Sequence, residues 1–252
     1  MSTINRSSIK QTAKSYLKAP FLNNLMWTVG IYLLIITFGS AIPFVSIFSF
    51  ILYKNIERYN YEVRTLNTPL QAKRIFDFDG IGRLICGRLW AMLKMWPAYL
   101  ILFIGAAVML FSVFFLGLGA GMMSEDSNGE GLLLLGIIAM GIGWLIMMIS
   151  IPVSVYFSMH YVLTEFILME NPNMKPIDAT NLSKQMMNGH KWEWFVMTLS
   201  FLGWDILSVL TFNVLSIYVY PYKLQTYLGY YFAYRDQYNN SLQGWQTHQN
   251  II

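Results

Sequence analysis

The feature that most limits how this chain can fold is a stretch without any acidic or basic residue, from Phe21 to Tyr53. A helix needs about 20 residues to cross the hydrocarbon core of a bilayer. The stretch is therefore long for one crossing and short for two. Pro43 and the small residues before it offer a break near the middle. We predict two fused membrane spans, over residues 22–38 and 43–60.

Composition points to the same solvent. Only 12% of the 252 residues are charged and 56% are hydrophobic, whereas soluble domains carry about 25% charged residues. Four more apolar stretches follow, over residues 92–116, 131–154, 194–211 and 214–234. We predict an all-α, polytopic transmembrane bundle of about six spans, with short amphipathic cytoplasmic helices. Residues 1–252 are expected to form a single integral membrane domain.

The distribution of basic residues predicts the orientation. Lys and Arg number 4 before the first span, 8 from Lys54 in the second span to Lys94 at the start of the third, and 3 between the fourth and fifth. The loop between the third and fourth spans carries only acids, Glu125, Asp126 and Glu130. Because cytoplasmic segments keep the positive charge, both chain ends are expected in the cytoplasm. A cleaved signal peptide over the first span is the alternative, and it would leave the other spans oriented as described.

Two cytoplasmic segments have helical patterns. Near the N-terminus, Ile9, Ala13 and Leu17 share one helical face beside three lysines, which is typical of a helix lying on an anionic leaflet. A solvated basic lead-in is the other interpretation. Between the fourth and fifth spans, Pro176 can open a helix that Gly189 closes.

The second segment also carries exposed-type aromatic and basic residues. We predict that it forms a cytoplasmic interface with the membrane surface or with a partner protein. The residues expected to form it are Lys184, His190, Lys191, Trp192 and Trp194.

Several short motifs resemble a known bacterial membrane family, domain of unknown function 975. The motifs are Ile4-Asn5-Arg6-Ser7-Ser8-Ile9-Lys10, Glu170-Asn171-Pro172, Met186-Met187-Asn188-Gly189-His190-Lys191-Trp192, Phe201-Leu202-Gly203-Trp204 and Pro221-Tyr222. The resemblance covers nearly the whole chain and is weakest over residues 111–150. It implies a six-span plasma-membrane protein and no established activity.

The sequence contains no recognisable catalytic set. The three histidines, His160, His190 and His248, lack the spacing of a helical metal site, and no phosphate-binding Gly-rich loop is present. The lone Cys86 has no marked partner. We therefore expect a protein that is not an enzyme and holds no cofactor or metal. Its expected partners are membrane lipids, another membrane protein or further copies of itself, and not nucleic acid.

Ionisable residues at membrane depth are the main functional indication. Asp205 in the fifth span and Lys223 in the sixth differ in depth by roughly 5 Å at 1.5 Å per residue. Because charges in hydrocarbon usually face a partner, we predict an Asp205–Lys223 pair. A clamp between helices is favoured over a substrate or proton site. By contrast, Glu165 is expected to be solvated, and Lys54 and Arg58 to snorkel to the interface.

Two further patterns concern helix surfaces. The sixth span carries Tyr220, Tyr227, Tyr231 and Tyr234 on one face. Such a face could line a groove for an amphipathic ligand, or it could simply pack against other helices. The third and fourth spans contain Gly105, Ala139, Gly141 and Gly143. Ala139 and Gly143 form a pair of small residues four positions apart, which indicates close helix packing.

Two functions follow from these patterns. The first is a non-enzymatic membrane protein that acts through partner proteins or lipids, in an accessory, immunity or stress, or assembly role. The alternative is a small transporter or channel for a small or amphipathic solute, with its site between the fifth and sixth spans.

Overall fold

The structure is a computed structural model that describes residues 5–18, 43–67, 77–122, 128–211 and 214–249. The described residues form helices and connecting turns without a strand, so the all-α class is confirmed. The predicted span 22–38 lies outside them. The helices are α1 (Arg6–Ser15), α2 (Pro43–Leu66), α3 (Ile81–Lys94), α4 (Trp96–Met122), α5 (Asn128–Met159), α6 (Thr164–Glu170), α7 (Pro176–Met186), α8 (Lys191–Leu199), α9 (Leu202–Leu210) and α10 (Ser216–Gln249).

The contacts divide the chain into two compact units. One unit comprises Met1–Arg88 together with Leu163–Ile252, and the other comprises Leu89–Val162. The sequence predicts a single domain over residues 1–252. Helical periodicity identifies which faces are apolar but not which helices contact one another, so this division had no signal in the sequence.

In the unit Leu89–Val162, α4 and α5 pack along a stripe of small residues. Every seventh residue of α4 is small and buried: Ala98, Gly105, Ser112 and Gly119. The same spacing recurs in α5 with Gly129, Gly136, Gly143 and Ser150. A repeat of seven keeps one seam facing the partner helix, and small side chains let the backbones approach. The outer faces of both helices expose large apolar side chains.

This seam corrects the packing predicted from sequence. Gly105 and Gly143 lie on it: Cβ atoms added at Gly105 and Gly143 would approach Ile146 and Met109 to 3.0 and 2.8 Å. Gly141 does not, because a Cβ there would meet no atom within 4 Å in the described chain. The four-residue step from Ala139 to Gly143 therefore does not describe the contact between α4 and α5, which repeats every seven residues.

In the other unit, the second half of α2 and the middle of α10 form the core. Ile56, Tyr59 and Val63 of α2 are each 1% exposed, and Leu228 and Tyr230 of α10 are fully buried. Polar groups join the two helices directly. The Gln225 amide nitrogen donates to the Asn60 carbonyl and side-chain oxygens, at 3.2 Å each, and both residues are fully buried. Buried polar side chains of this kind specify which helices pair.

Helix α1 packs its apolar face onto this unit. Ala13 is fully buried, and Gly229 of α10 makes room for Ile9: a Cβ on Gly229 would lie 2.6 Å from Ile9 Cγ2. The Lys10 ammonium donates to Ser200 Oγ at 2.9 Å. The apolar face of α1 therefore packs against protein and not against a leaflet, whereas its polar face, with Arg6 and Lys14, is exposed.

Three segments of the described chain are long and apolar enough to cross a bilayer: Trp96–Met122, Gly129–Glu170 and Lys191–Leu210. They contain most of the predicted span 92–116, all of 131–154 and most of 194–211. The last of these is broken at Ser200 and Phe201 into α8 and α9. The predicted spans 43–60 and 214–234 lie in α2 and α10, which carry more charge or polar residues. The count of six spans thus goes beyond these three segments.

Candidate functional site

Asp205 and Lys223 lie together, as expected for antiparallel neighbours. Lys223 Nζ donates to Asp205 Oδ2 at 2.7 Å, and the ammonium also lies 5.9 Å from the centre of the Phe201 ring. The Asp205 side chain is 46% exposed and that of Lys223 is 23% exposed. The pair therefore sits at the surface of α9 and α10 rather than in a sealed interior.

The tyrosine face of α10 is covered by other parts of the protein. Tyr227 lies 5.1 Å from the Trp194 ring, and Tyr234 stacks on His190 at 4.5 Å. Tyr231 donates a hydrogen bond to Glu170, and Tyr220 lies 5.7 Å from Tyr53. These contacts correspond to the packing interpretation of the tyrosine pattern, because each ring already has a protein neighbour where a ligand would lie.

The predicted cytoplasmic interface divides into an inner and an outer part. Trp194 is buried, and His190 is held between Tyr234 and Glu193, whose carboxylate lies 3.5 Å from His190 Nδ1. Trp192 is 72% exposed and Lys184 is exposed. Lys191 is half-buried beside them. The structure thus leaves Trp192 and Lys184 available to a surface partner and uses the two other aromatic residues for packing.

The unit Met1–Arg88 with Leu163–Ile252 contains a charged cluster that the sequence analysis missed. The Lys54 ammonium, only 3% exposed, lies 2.8 Å from Glu57 Oε2 and 2.5 Å from Glu165 Oε2. Both carboxylate side chains are 10% exposed. Arg88 approaches the second oxygen of Glu165 at 3.7 Å. We call these four residues the Lys54 cluster.

The cluster corrects three expectations. Glu165 is buried rather than solvated, because α6 packs it against α2. Lys54 does not snorkel, since its ammonium is held by two carboxylates. Arg58 is likewise held by protein groups, with its guanidinium 3.3 Å from Asp77 and donating to the Asp79 carbonyl. The available signal was the spacing of Lys54 and Glu57, which places opposite charges on one face of α2.

The chemistry of the Lys54 cluster is that of a compensated ion group. Two cations face two carboxylates, so a buried charge is not left alone. No three residues among His, Cys, Asp and Glu come together to hold a metal ion in the part of the chain that the structure describes. The Asn55 amide, beside Lys54 in the sequence, is 2% exposed and has no hydrogen-bond partner within the described residues.

A second ionic contact ties α6 to α10. Arg235 donates to Glu170 Oε1 at 2.7 Å, and Tyr231 donates to the other oxygen of Glu170. Hydrogen bonds to Asp236 and Glu170 raise the pKa of Arg235 against the opposing effect of its burial. Glu170 opens the Glu170-Asn171-Pro172 motif. The motif therefore marks the point where the chain leaves α6 and is fixed to the last helix.

Comparison with known proteins gives one match. A family model described as "Protein of unknown function (DUF975)" matches residues 1–237. No curated protein and no solved structure matches the chain.

Proposed function

The chain belongs to this DUF975 family, and we propose that it is a multi-pass bacterial plasma-membrane protein without catalytic activity that binds partner proteins or lipids. One observation carries the proposal: the charged and aromatic groups that a solute site would need already contact each other. Lys223 holds Asp205, and Trp194 covers Tyr227. The surfaces left open are instead apolar helix faces and the Trp192–Lys184 segment, which are surfaces for binding rather than for chemistry.

The proposed topology keeps six segments entering the membrane and both chain ends in the cytoplasm. The basic residues support it, because they alternate between loops. Two consecutive segments that enter the membrane and return to the cytoplasm leave the orientation of the rest of the chain unchanged. This holds whether they cross the bilayer fully or turn back within it. The acidic loop between α4 and α5 is then external.

Gentle extraction from native membranes, followed by mass spectrometry of everything that stays bound, tests the proposal. We expect a stoichiometric protein partner or a defined lipid. Trp192→Ala combined with Lys184→Ala should lower the yield of a partner held by that segment. Lys175→Ala, an exposed lysine on the same connection, serves as the control. A bound small solute without protein or lipid would contradict the proposal.

The alternative function is a transporter or channel with its site at Asp205 and Lys223. It is favoured by one observation, the exposure of this ion pair, which leaves the carboxylate within reach of a solute. Asp205→Asn and Lys223→Met separate the two functions. If the pair is a clamp, each single change lowers thermal stability and the double change recovers part of it. Normal stability with lost solute flux in the single variants would favour transport.

A further inference from the structure

The surface on which α1 packs must lie outside the hydrocarbon core of the bilayer. The outward face of α1 is exposed and polar, with Arg6, Gln11 and Lys14 among its residues. Its inward face rests on Gly229 and is bonded to Ser200. Placing several polar and charged side chains in lipid is costly. Ser200 and Gly229 therefore lie at the level of headgroups or water.

Beyond this level the surface becomes apolar within one short hairpin. Almost every side chain of α9 is exposed, including Leu202, Ile206 and Val209, the last at 71%. The first residues of α10 continue this surface until Val219, where burial in protein begins. Helix α9 has nine residues, which corresponds to about 13 Å at 1.5 Å per residue. The hydrocarbon core is about 30 Å thick, so the hairpin is long enough for one leaflet only.

Three lysines lie at the base of the hairpin, beside Phe201 and Tyr222. Lys10 and Lys223 lie 5.3 and 5.9 Å from the centre of the Phe201 ring, and Lys14 lies 6.0 Å from that of Tyr222. The two rings are 5.4 Å apart. Of these three lysines, Lys223 is paired with an acid, Asp205.

The base is therefore rich in positive charge. Within the described chain, Lys10 and Lys14 form no ion pair. Burial, followed by the neighbouring charges of Lys14 and Arg6, lowers the pKa of Lys10. A phosphate group at this place would relieve the crowding of like charges.

We propose that the α9–α10 hairpin inserts into a single leaflet and that Lys10, Lys14 and Lys223 at its base bind the phosphate of an anionic phospholipid. The acyl chains lie against the exposed apolar side chains of α9, and the aromatic pair of Phe201 and Tyr222 lies at the glycerol level. An anionic lipid matches this arrangement because it joins a negative group to an apolar body, as the surface joins lysines to an apolar hairpin. The proposal rests on the membrane location proposed above and replaces two full crossings by one shallow hairpin.

Cysteine labelling in sealed vesicles tests the depth. In a Cys86→Ser background of the full chain, Val214→Cys near the tip should stay unlabelled by a membrane-impermeant maleimide from either side. Labelling from the outer side would show a full crossing and overturn the hairpin. Leu210→Cys repeats the test on the other arm.

Two controls separate this result from the topology proposed above. Ser124→Cys, in the acidic loop, should label from outside, and Lys184→Cys only after the vesicles are opened. If Ser124→Cys does not label from outside, the multi-pass topology is contradicted, whatever the result at Val214.

Native mass spectrometry of the full-length protein with added phosphatidylglycerol or phosphatidylcholine tests the lysine site. The wild type should retain phosphatidylglycerol preferentially. Lys10→Gln with Lys14→Gln should lower its affinity roughly tenfold or more, since each lysine near an anionic surface contributes appreciably. Lys10→Arg with Lys14→Arg should retain it. Equal retention of the two lipids by the wild type, or an equal loss in Lys175→Gln with Lys184→Gln, would overturn the site.

Discussion

At the scale of single residues, paired charges link the helices of the unit Met1–Arg88 with Leu163–Ile252. Lys54 contacts two carboxylates, Glu170 accepts from both Arg235 and Tyr231, and Asp205 holds Lys223. Apart from Lys54 with Glu57, which both lie on α2, each contact joins residues on two different helices. A buried pair adds little net stability against an apolar replacement, but the removal of one partner leaves a charge uncompensated. These pairs therefore make wrong helix arrangements costly.

The first prediction concerns Lys54. Lys54→Met should lower the free energy of unfolding by about 3–5 kcal/mol, because it leaves two neighbouring buried carboxylates without their cation. Thermal unfolding in detergent, followed by fluorescence-detected gel filtration, measures the change. The triple variant Lys54→Met, Glu57→Gln, Glu165→Gln should recover most of the loss. Lys175→Met removes an exposed lysine and should have little effect. No recovery in the triple variant would contradict the ionic explanation.

The sequence was informative about one of these pairs and silent about another. Asp205 and Lys223 could be matched because a short connection between their helices determines their relative depth. Lys54 and Glu165 are 111 residues apart. No short loop relates α2 to α6, so nothing in the spacing indicates that the two helices meet. Burial of Glu165 depends on a tertiary contact that helical periodicity does not encode.

At the scale of helices, two kinds of contact hold the elements together. Helices α4 and α5 meet along small residues spaced by seven, and α1 fits onto α10 at one glycine. Positions of small residues were visible in the sequence. Their period was not evident from one pair of small residues four positions apart. A seam that repeats every seven residues can be recognised only over the whole length of both helices.

The second prediction tests this seam. A Cβ at Gly119 would lie 2.8 Å from the Leu133 backbone nitrogen, whereas one at Gly117 meets nothing within 4 Å in the described chain. Gly119→Leu should therefore force α4 and α5 apart and lower stability by about 1–3 kcal/mol. Gly117→Leu, two residues away, should be tolerated. Thermal unfolding of the two variants under identical conditions makes the comparison. Equal stability would show that the seam is not the contact.

The third prediction concerns the seat of α1. Gly229→Leu should displace Ile9, since even a Cβ would clash with it. Once α1 is released, its backbone can unfold into the protease active site, so limited trypsin digestion should cleave after Lys10 and Lys14 faster than in the wild type. Gly203→Leu is the matched control, because its Cβ position is open. If both variants are cleaved like the wild type, α1 does not depend on this contact.

At the scale of the whole molecule, the two units bury different kinds of residue. The unit Leu89–Val162 buries small residues and exposes large apolar ones, as a helix pair in lipid does. The unit Met1–Arg88 with Leu163–Ile252 buries ionic groups, amides and tyrosines. A single hydropathy threshold therefore finds α4 and α5 but not α2 or α10, whose polar residues face protein. The membrane class predicted from composition is compatible with three long apolar helical segments, whereas the number of crossings depends on which polar residues are covered.

The fourth prediction addresses the orientation of the whole chain. If positive charge fixes the topology, three lysines in the acidic loop, Glu125→Lys, Asp126→Lys and Glu130→Lys, should hinder its export, because basic residues resist translocation while acids contribute little. An alkaline phosphatase fused after Ser127 should then lose most of its activity. The matched variant with Glu125→Gln, Asp126→Asn and Glu130→Gln removes the same acids without adding lysine and should stay active. Loss of activity in both would assign the effect to the acids themselves. Full activity in the lysine variant would mean that the apolar α4–α5 pair inserts regardless of loop charge, and the orientation would then have to come from the basic segments around α1 and α3.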